Sequence, residues 1–284
     1  MIFIAILGIV YSSTRAASRQ SVRFSLSDSS TDSGFAFGCT SISGTCMPKG
    51  DIAGWKQIFS DDFTTDVPTG NFPKAVASKW FAYPDGWKDT SGKGTYYPSK
   101  VLSQHNGVLD FFIHSENGVH MVSAPEPILA SGTHDYGVGL TAGRYEVRAK
   151  ADSIACYKRA WLLWPDSGVW PRDGEIDFPE GNLTSGSVSM FMHNQNGTSG
   201  SDQQQGSIAI DQTQWHTYTM EWRPDTSNLK AWVDGTQIAN FTTRVPNTPM
   251  HYVMQTETSL DGCTPADTAQ GHILVDWFTA YKPL

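Results

Sequence analysis

The chain has 284 residues, 39% of them hydrophobic and 17% charged, which suffices for one large domain with a substantial core. A net charge of −8, from 28 acidic against 20 basic residues, argues against nucleic acid or another polyanion as the main partner. A neutral polymer fits better, and ten Trp, ten Tyr and fourteen Phe supply rings that can fill a sheet core or stack on sugar faces.

Met1 to Val10 is almost wholly apolar and runs into Tyr11-Ser-Ser-Thr-Arg-Ala-Ala17. This is the pattern of a secretory signal over residues 1–17, although its first residues lack Lys or Arg. The run is too short to span a bilayer, and no later segment approaches a span. A secreted, soluble, monomeric protein is expected. Residues 18–50 are rich in Ser, Thr and Gly and read as a loosely packed N-terminal arm, with the folded domain over 51–284. Cys39, Cys46, Cys156 and Cys263 allow three disulfide pairings. Sequence proximity favours Cys39–Cys46 as a local staple, leaving Cys156–Cys263 as a long-range link. Their spacing offers no zinc site. Asn182, Asn196 and Asn240 each begin an Asn-x-Thr glycosylation triplet.

From Trp55 onward, short aromatic and β-branched runs alternate with turn residues. The clearest predicted strands are Val108–Ile113, Gly143–Ala149, Ser187–Met192, Trp215–Trp222, Leu229–Val233 and Ile273–Phe278. Asp234-Gly235 marks a hairpin turn. No long helical period and no repeat appears. The pattern predicts an all-β sandwich or barrel without choosing between them.

Glu175-Ile-Asp-Phe-Pro-Glu180 places three carboxylates within six residues of another predicted strand. Repulsion and desolvation make such crowding costly unless a site uses it to separate proton affinities. Side chains of a flat strand alternate faces, so Glu175 and Asp177 share one and Glu180 points away. One extra residue, a β-bulge, returns Glu180 to the shared face. Pro179 stands where such a break is expected, because proline cannot donate to the ladder. Paired acids of this kind are what glycoside hydrolysis requires, one as nucleophile and one as proton donor, about 5–5.5 Å apart in retaining enzymes. The plainer reading is a calcium-binding or merely solvated acidic strand.

The segment Trp170-Pro-Arg-Asp-Gly-Glu-Ile-Asp-Phe-Pro-Glu180 resembles the Glu-x-Asp-x-x-Glu signature of glycoside hydrolase family 16. The likeness continues through Trp55–Phe63, Tyr96–Val101, Asn106–Leu109, Gly143–Lys150, Ala160–Leu163, Trp215–Tyr218, Glu221-Trp222 and Trp232–Gly235, and so covers about residues 55–284. It implies a concanavalin A-like β-jelly-roll sandwich whose concave sheet forms an open cleft for polysaccharide. It further implies Glu175 as nucleophile, Asp177 as its assisting partner and Glu180 as general acid/base. Trp161, Trp170, His193, Gln255 and Tyr97 are the substrate contacts so implied, with Trp164 a weaker one. No cofactor is required, but many members hold a structural calcium. Asp276, with main-chain groups near Asp62 and Gly107, occupies the matching positions. The six-residue motif is like the β-1,3-glucanase side of the family, yet Pro179 and the following Gly181-Asn-Leu depart from it. The expected activity is endo-hydrolysis of β-1,3- or β-1,3-1,4-glucan with retention. The alternatives are action on galactan, agar or xyloglucan, transglycosylation, or non-catalytic glucan binding.

Overall fold

The computed structural model describes residues 41–284. The expected signal, residues 18–40 of the arm and Cys39 lie outside the described residues. In chain order the first strands are β1 (Trp55–Asp61), β2 (Trp80–Ala82), β3 (Gly94–Tyr96), β4 (Leu102–His105), β5 (Val108–Glu116) and β6 (Val119–Val122). Then come β7 (Pro125–Pro127), β8 (Gly143–Ala151), β9 (Tyr157–Pro165), β10 (Glu175–Asn182), β11 (Ser187–His193) and β12 (Gln203–Ala209). The last are β13 (His216–Arg223), β14 (Asn228–Val233), β15 (Thr236–Phe241), β16 (Met250–Thr258) and β17 (Gly271–Pro283).

The predicted strands are present, and they assemble as a sandwich. One large sheet runs β15-β14-β13-β8-β17-β5-β6-β3, with β1 also paired to β17 and β4 to β5. A five-stranded sheet, β12-β11-β10-β9-β16, lies against it, and β2 pairs with β7. Alternation of apolar and polar residues decides which side of each strand turns inward: β11 and β14 both switch between buried and part-exposed at every step. The hairpin at Asp234-Gly235 has positive φ at both residues, 47° and 80°, as a type I′ turn requires.

Aromatic pairs across the two sheets fill the core. Trp161 on β9 stacks on Phe111 of β5 at 6.3 Å, Phe178 on β10 meets Tyr218 of β13 edge-on at 5.9 Å, and Tyr252 on β16 packs on Phe278 of β17 at 5.1 Å. The fold is the jelly-roll sandwich, and the outer face of the five-stranded sheet is the cleft floor. The Cys156–Cys263 disulfide forms, with Cα atoms 5.3 Å apart across 107 residues of sequence. A loop of that length is worth about 4–5 kcal/mol in the chain-entropy account. Among the described residues, no helix is long and apolar enough to cross a membrane.

The arm departs from its expected looseness at its C-terminal end. Residues 41–45 dock on the last strand: Ser41 and Ser43 hydroxyls donate to Asp276, and the Trp277 indole N–H donates to the Thr45 carbonyl. Ser, Thr and Gly carry no hydrophobic periodicity, so only the hydrogen-bond partners on β17 give this segment a place.

Candidate active site

The three acids of β10 are brought together by a bulge. Against β11, Asp177 pairs with Phe191 and Glu180 with Ser189; against β9, the same two pair with Leu162 and Ala160. Phe178 and Pro179 thus occupy the space of one residue on each neighbour. Phe178 turns into the core towards Tyr218, and Pro179, lacking an N–H, forfeits no ladder donor. Glu175, Asp177 and Glu180 therefore all face the cleft.

Directly opposed residues of antiparallel strands share a face, so the register maps the cleft floor. One row is His251, Trp164, Glu175 and His193; the next is Val253, Leu162, Asp177 and Phe191; a third is Gln255, Ala160, Glu180 and Ser189. Lys158 and Glu257 face each other beyond it.

Burial is the dominant influence on Glu175 and Asp177. It raises Glu175 to about 7, while hydrogen bonds from Asp177 and the Trp170 indole work to lower it. Asp177 is held well above the ordinary carboxylate range, first by burial and then by the charges of Glu175 and Glu180. Asp177 is thus the protonated member and donates to an ionised Glu175. His193 Nε2 lies 3.7 Å from both Glu175 and Asp177. Burial lowers its proton affinity, with Glu180 opposing, so the imidazole meets the acids as a neutral ring. Lys158 Nζ stands 2.7 Å from Glu180 and 3.5 Å from Glu257.

Of the other expected contacts, Trp170 stands at the lip, 40% exposed and edge-on to His193 at 5.6 Å. Its ring lies over Gly200, where a Cβ would come within 2.6 Å of it. Gln255 sits on the cleft face, half-buried, its Nε2 3.5 Å from Thr90 Oγ1. Trp161 is corrected: it is fully buried against Phe111, because it falls between Ala160 and Leu162 and so points to the opposite side of β9. Tyr97 is corrected as well. It packs on the core beneath the Lys100 ammonium, 5.8 Å from its ring, while its neighbour Tyr96 meets Tyr83 at 5.3 Å. Tyr83 senses the charges of Glu126, Glu175 and Glu257 and packs at a tilt against Trp87, which is 59% exposed. Glu257, which the family likeness places with Gln255 on a cleft-facing strand, lies opposite Lys158; Tyr83, Trp87 and Lys158 are the cleft residues that sequence reasoning missed. No local spacing joins them to the acidic motif.

The carboxylate expected to hold calcium is already engaged by hydrogen-bond donors. Asp276 is buried and receives hydrogen bonds from the Ser41 and Ser43 hydroxyls and the Ile42 N–H, while Arg148 Nε donates to Ser43 Oγ at 2.7 Å. An N–H donor and a guanidinium beside that carboxylate do not suit a cation needing six to eight oxygens. Asp62 instead accepts from the Thr64 hydroxyl at 3.0 Å, and Gly107 forms a turn with φ of 74°. The residues do not fit calcium.

A β-sandwich that carries two glutamates and a proton-sharing aspartate on the open face of one bulged strand is a glycosidase. The profile of Glycosyl hydrolases family 16 matches residues 131–279, and the chain belongs to that family. Solved structures share its fold. A non-specific endo-β-1,3(4)-glucanase, SCLam, is 19% identical with a TM-score of 0.66, covering 87% of this chain and 98% of its own. The laminarinase from Rhodothermus marinus is 21% identical with a TM-score of 0.62, covering 81% and 98%. The endo-1,3-β-glucanase from Streptomyces sioyaensis is 18% identical with a TM-score of 0.64, covering 83% and 99%. A search of curated protein sequences gave no match.

Proposed function

We propose that this protein is a secreted, endo-acting, retaining glycosidase whose substrate is a β-linked glucan, β-1,3 or mixed β-1,3-1,4. The observation that carries the reading is the bulge at Phe178-Pro179, which puts Glu175, Asp177 and Glu180 on one face in place of two faces. In the first step the Glu175 carboxylate attacks the anomeric carbon while Glu180 gives its proton to the departing oxygen. Water then gives a proton to Glu180 and its oxygen to the anomeric carbon, releasing Glu175. Asp177 holds a proton against Glu175, keeping the attacking oxygen charged and oriented. The Trp170 indole at the lip and the exposed Trp87 supply flat apolar faces for sugar rings. Similarity of fold to glucanases supports the glucan assignment, and the net negative charge of the chain suits a neutral polymer.

The test is turnover on laminarin, mixed-linkage glucan, agar, galactan and xyloglucan, with product sizing and NMR of the first-formed anomer. Laminarin or mixed-linkage glucan should be cut internally, with retained configuration. An inverted first product refutes double displacement, and exclusive cleavage of agar or galactan refutes the glucan assignment. On the preferred substrate, Glu180→Gln should lose on the order of 10²–10⁴-fold in kcat, the usual worth of a general acid, and Glu175→Gln should be inactive. Because Glu175 must be ionised and is raised to about 7, turnover should fall as pH drops through that region.

A further inference from the structure

Lys158 is a buried cation whose place the two-carboxylate mechanism does not explain. It is only 8% exposed, on the cleft face of β9, and it stands between two acids from the flanking strands. Its Nζ donates to Glu180 Oε1 at 2.7 Å and lies 3.5 Å from Glu257 Oε1. Glu257 is itself almost wholly buried, and its other oxygen accepts from the Thr90 N–H at 3.3 Å. Burial opposes the charge on Lys158, but Glu180, Glu257 and Asp177 outweigh it, so the ammonium is retained. A buried ammonium with a near partner and a second partner within an ångström of further travel can divide its charge between them. An open pocket beside Glu180, lined by Asn182, Ser187, Phe191, Leu260 and Lys158 itself, leaves that end of the cleft free for the departing sugar.

We propose that Lys158 is a positioning residue for the acid/base step, its ammonium shared between Glu257 and Glu180 according to whether Glu180 carries the proton. This rests on the assignment of Glu180 as general acid/base. While Glu180 is protonated, Lys158 turns to Glu257. As the glycosidic carbon–oxygen bond breaks and the departing oxygen takes the Glu180 proton, a carboxylate forms at 2.7 Å from the ammonium and is stabilised there. When water later returns a proton to Glu180, the ammonium is released to Glu257. Lys158 itself gains and loses no proton. Glu257 thus serves as the resting counter-ion that prevents Lys158 from holding Glu180 permanently ionised. The charged and titratable groups around Glu180 are Lys158 on β9, Glu257 on β16, Glu175 and Asp177 on its own strand, His193 on β11 and Asp261 in the loop after β16. Lys158 is the cation among them at hydrogen-bond distance.

The experiment is carbon-13 NMR titration of the glutamate carboxyls in the full protein, with the Glu180 signal assigned by its loss in Glu180→Gln. An opposite charge at this range moves a carboxyl midpoint by about 1–3 pH units, so Lys158→Met should raise the Glu180 midpoint by about that much. Lys158→Arg should largely restore it. Glu257→Gln should move it the other way, because the ammonium is no longer shared. The basic limb of kcat/KM on the preferred polysaccharide should follow each shift in sign. An unmoved Glu180 midpoint in folded Lys158→Met, or an upward shift in Glu257→Gln, overturns the proposal. Glu257→Gln decides it alone should Lys158→Met not fold. A moved midpoint with an unmoved basic limb also overturns it, provided Glu180→Gln is inactive. Full turnover by Glu180→Gln instead overturns the acid/base assignment, whatever the titration shows.

Discussion

A single buried carboxyl, that of Glu126, illustrates how far a residue's chemistry depends on its surroundings. Glu126, in the short strand β7, is fully buried, and neither of its oxygens has a hydrogen-bond partner among the described residues. Burial, helped by the charge of Asp166, raises it from its ordinary value to about 8. His251 Nε2 is 3.9 Å away, and the same imidazole is bound through Nδ1 to Asp166 at 2.7 Å. Since the folded-state value lies above the unfolded one, the neutral acid contributes its stability in full below about pH 4–5 and loses it as pH rises through about 8. Glu126→Gln removes that dependence. The variant should gain on the wild type by up to about 1.4 kcal/mol per pH unit between those limits, measured by urea denaturation at pH 5, 6.5 and 8. Equal pH dependence in the two proteins refutes a neutral Glu126. Pro125-Glu126-Pro127 gave no sequence signal of this role, because nothing in a tripeptide reports that distant segments will bury its side chain. Lys158 and its pairing with Glu257 escaped for the same reason. The two are 99 residues apart in the chain and meet only as opposed residues of β9 and β16.

For the element, the side of a strand matters more than its composition. The acidic motif was legible because its three carboxylates conflict with the period of a flat strand, and Pro179 names the place where the period can break. The resulting bulge on β10 has the predicted position and sense. The aromatic residues of β9 carry no comparable conflict. Tyr157, Trp161 and Trp164 are all compatible with a half-buried strand, and only the register with β10 assigns Trp161 to the core and Trp164 to the cleft. This reverses the order that the family likeness implied, in which Trp161 was the stronger sugar contact and Trp164 the weaker. Trp161→Ala should cost about 3–5 kcal/mol of stability through the cavity it leaves, with KM little changed in the protein that remains folded. Trp170→Ala should raise KM and leave Tm within a degree or two, since its ring is partly exposed and packs on Gly200 and His193. Thermal denaturation together with polysaccharide kinetics checks both. A large KM effect from Trp161→Ala with unchanged stability contradicts its placement in the core.

Across the molecule, the two ends of the domain are tied together by hydrogen bonds in a place where the family likeness implied a cation. Ser41, Ile42 and Ser43 saturate the Asp276 carboxylate on β17, and Arg148 completes the cluster from β8. Chelation with EGTA should therefore leave Tm unchanged. Asp276→Ala, which strands these donors, should destabilise by about 1–3 kcal/mol. A fall in Tm on chelation that added calcium restores refutes the exclusion of the ion. By itself the sequence determined the all-β class, the strand positions and the bulged acidic motif. These follow from local periodicity and from proline's missing donor. Tertiary structure alone decided which aromatics face the cleft, what occupies Asp276, and that a lysine from one neighbouring strand and a glutamate from another close around Glu180. Each of those depends on cross-strand register and on burial by distant segments. Register and burial are properties of pairs of elements, and no single segment of sequence encodes them.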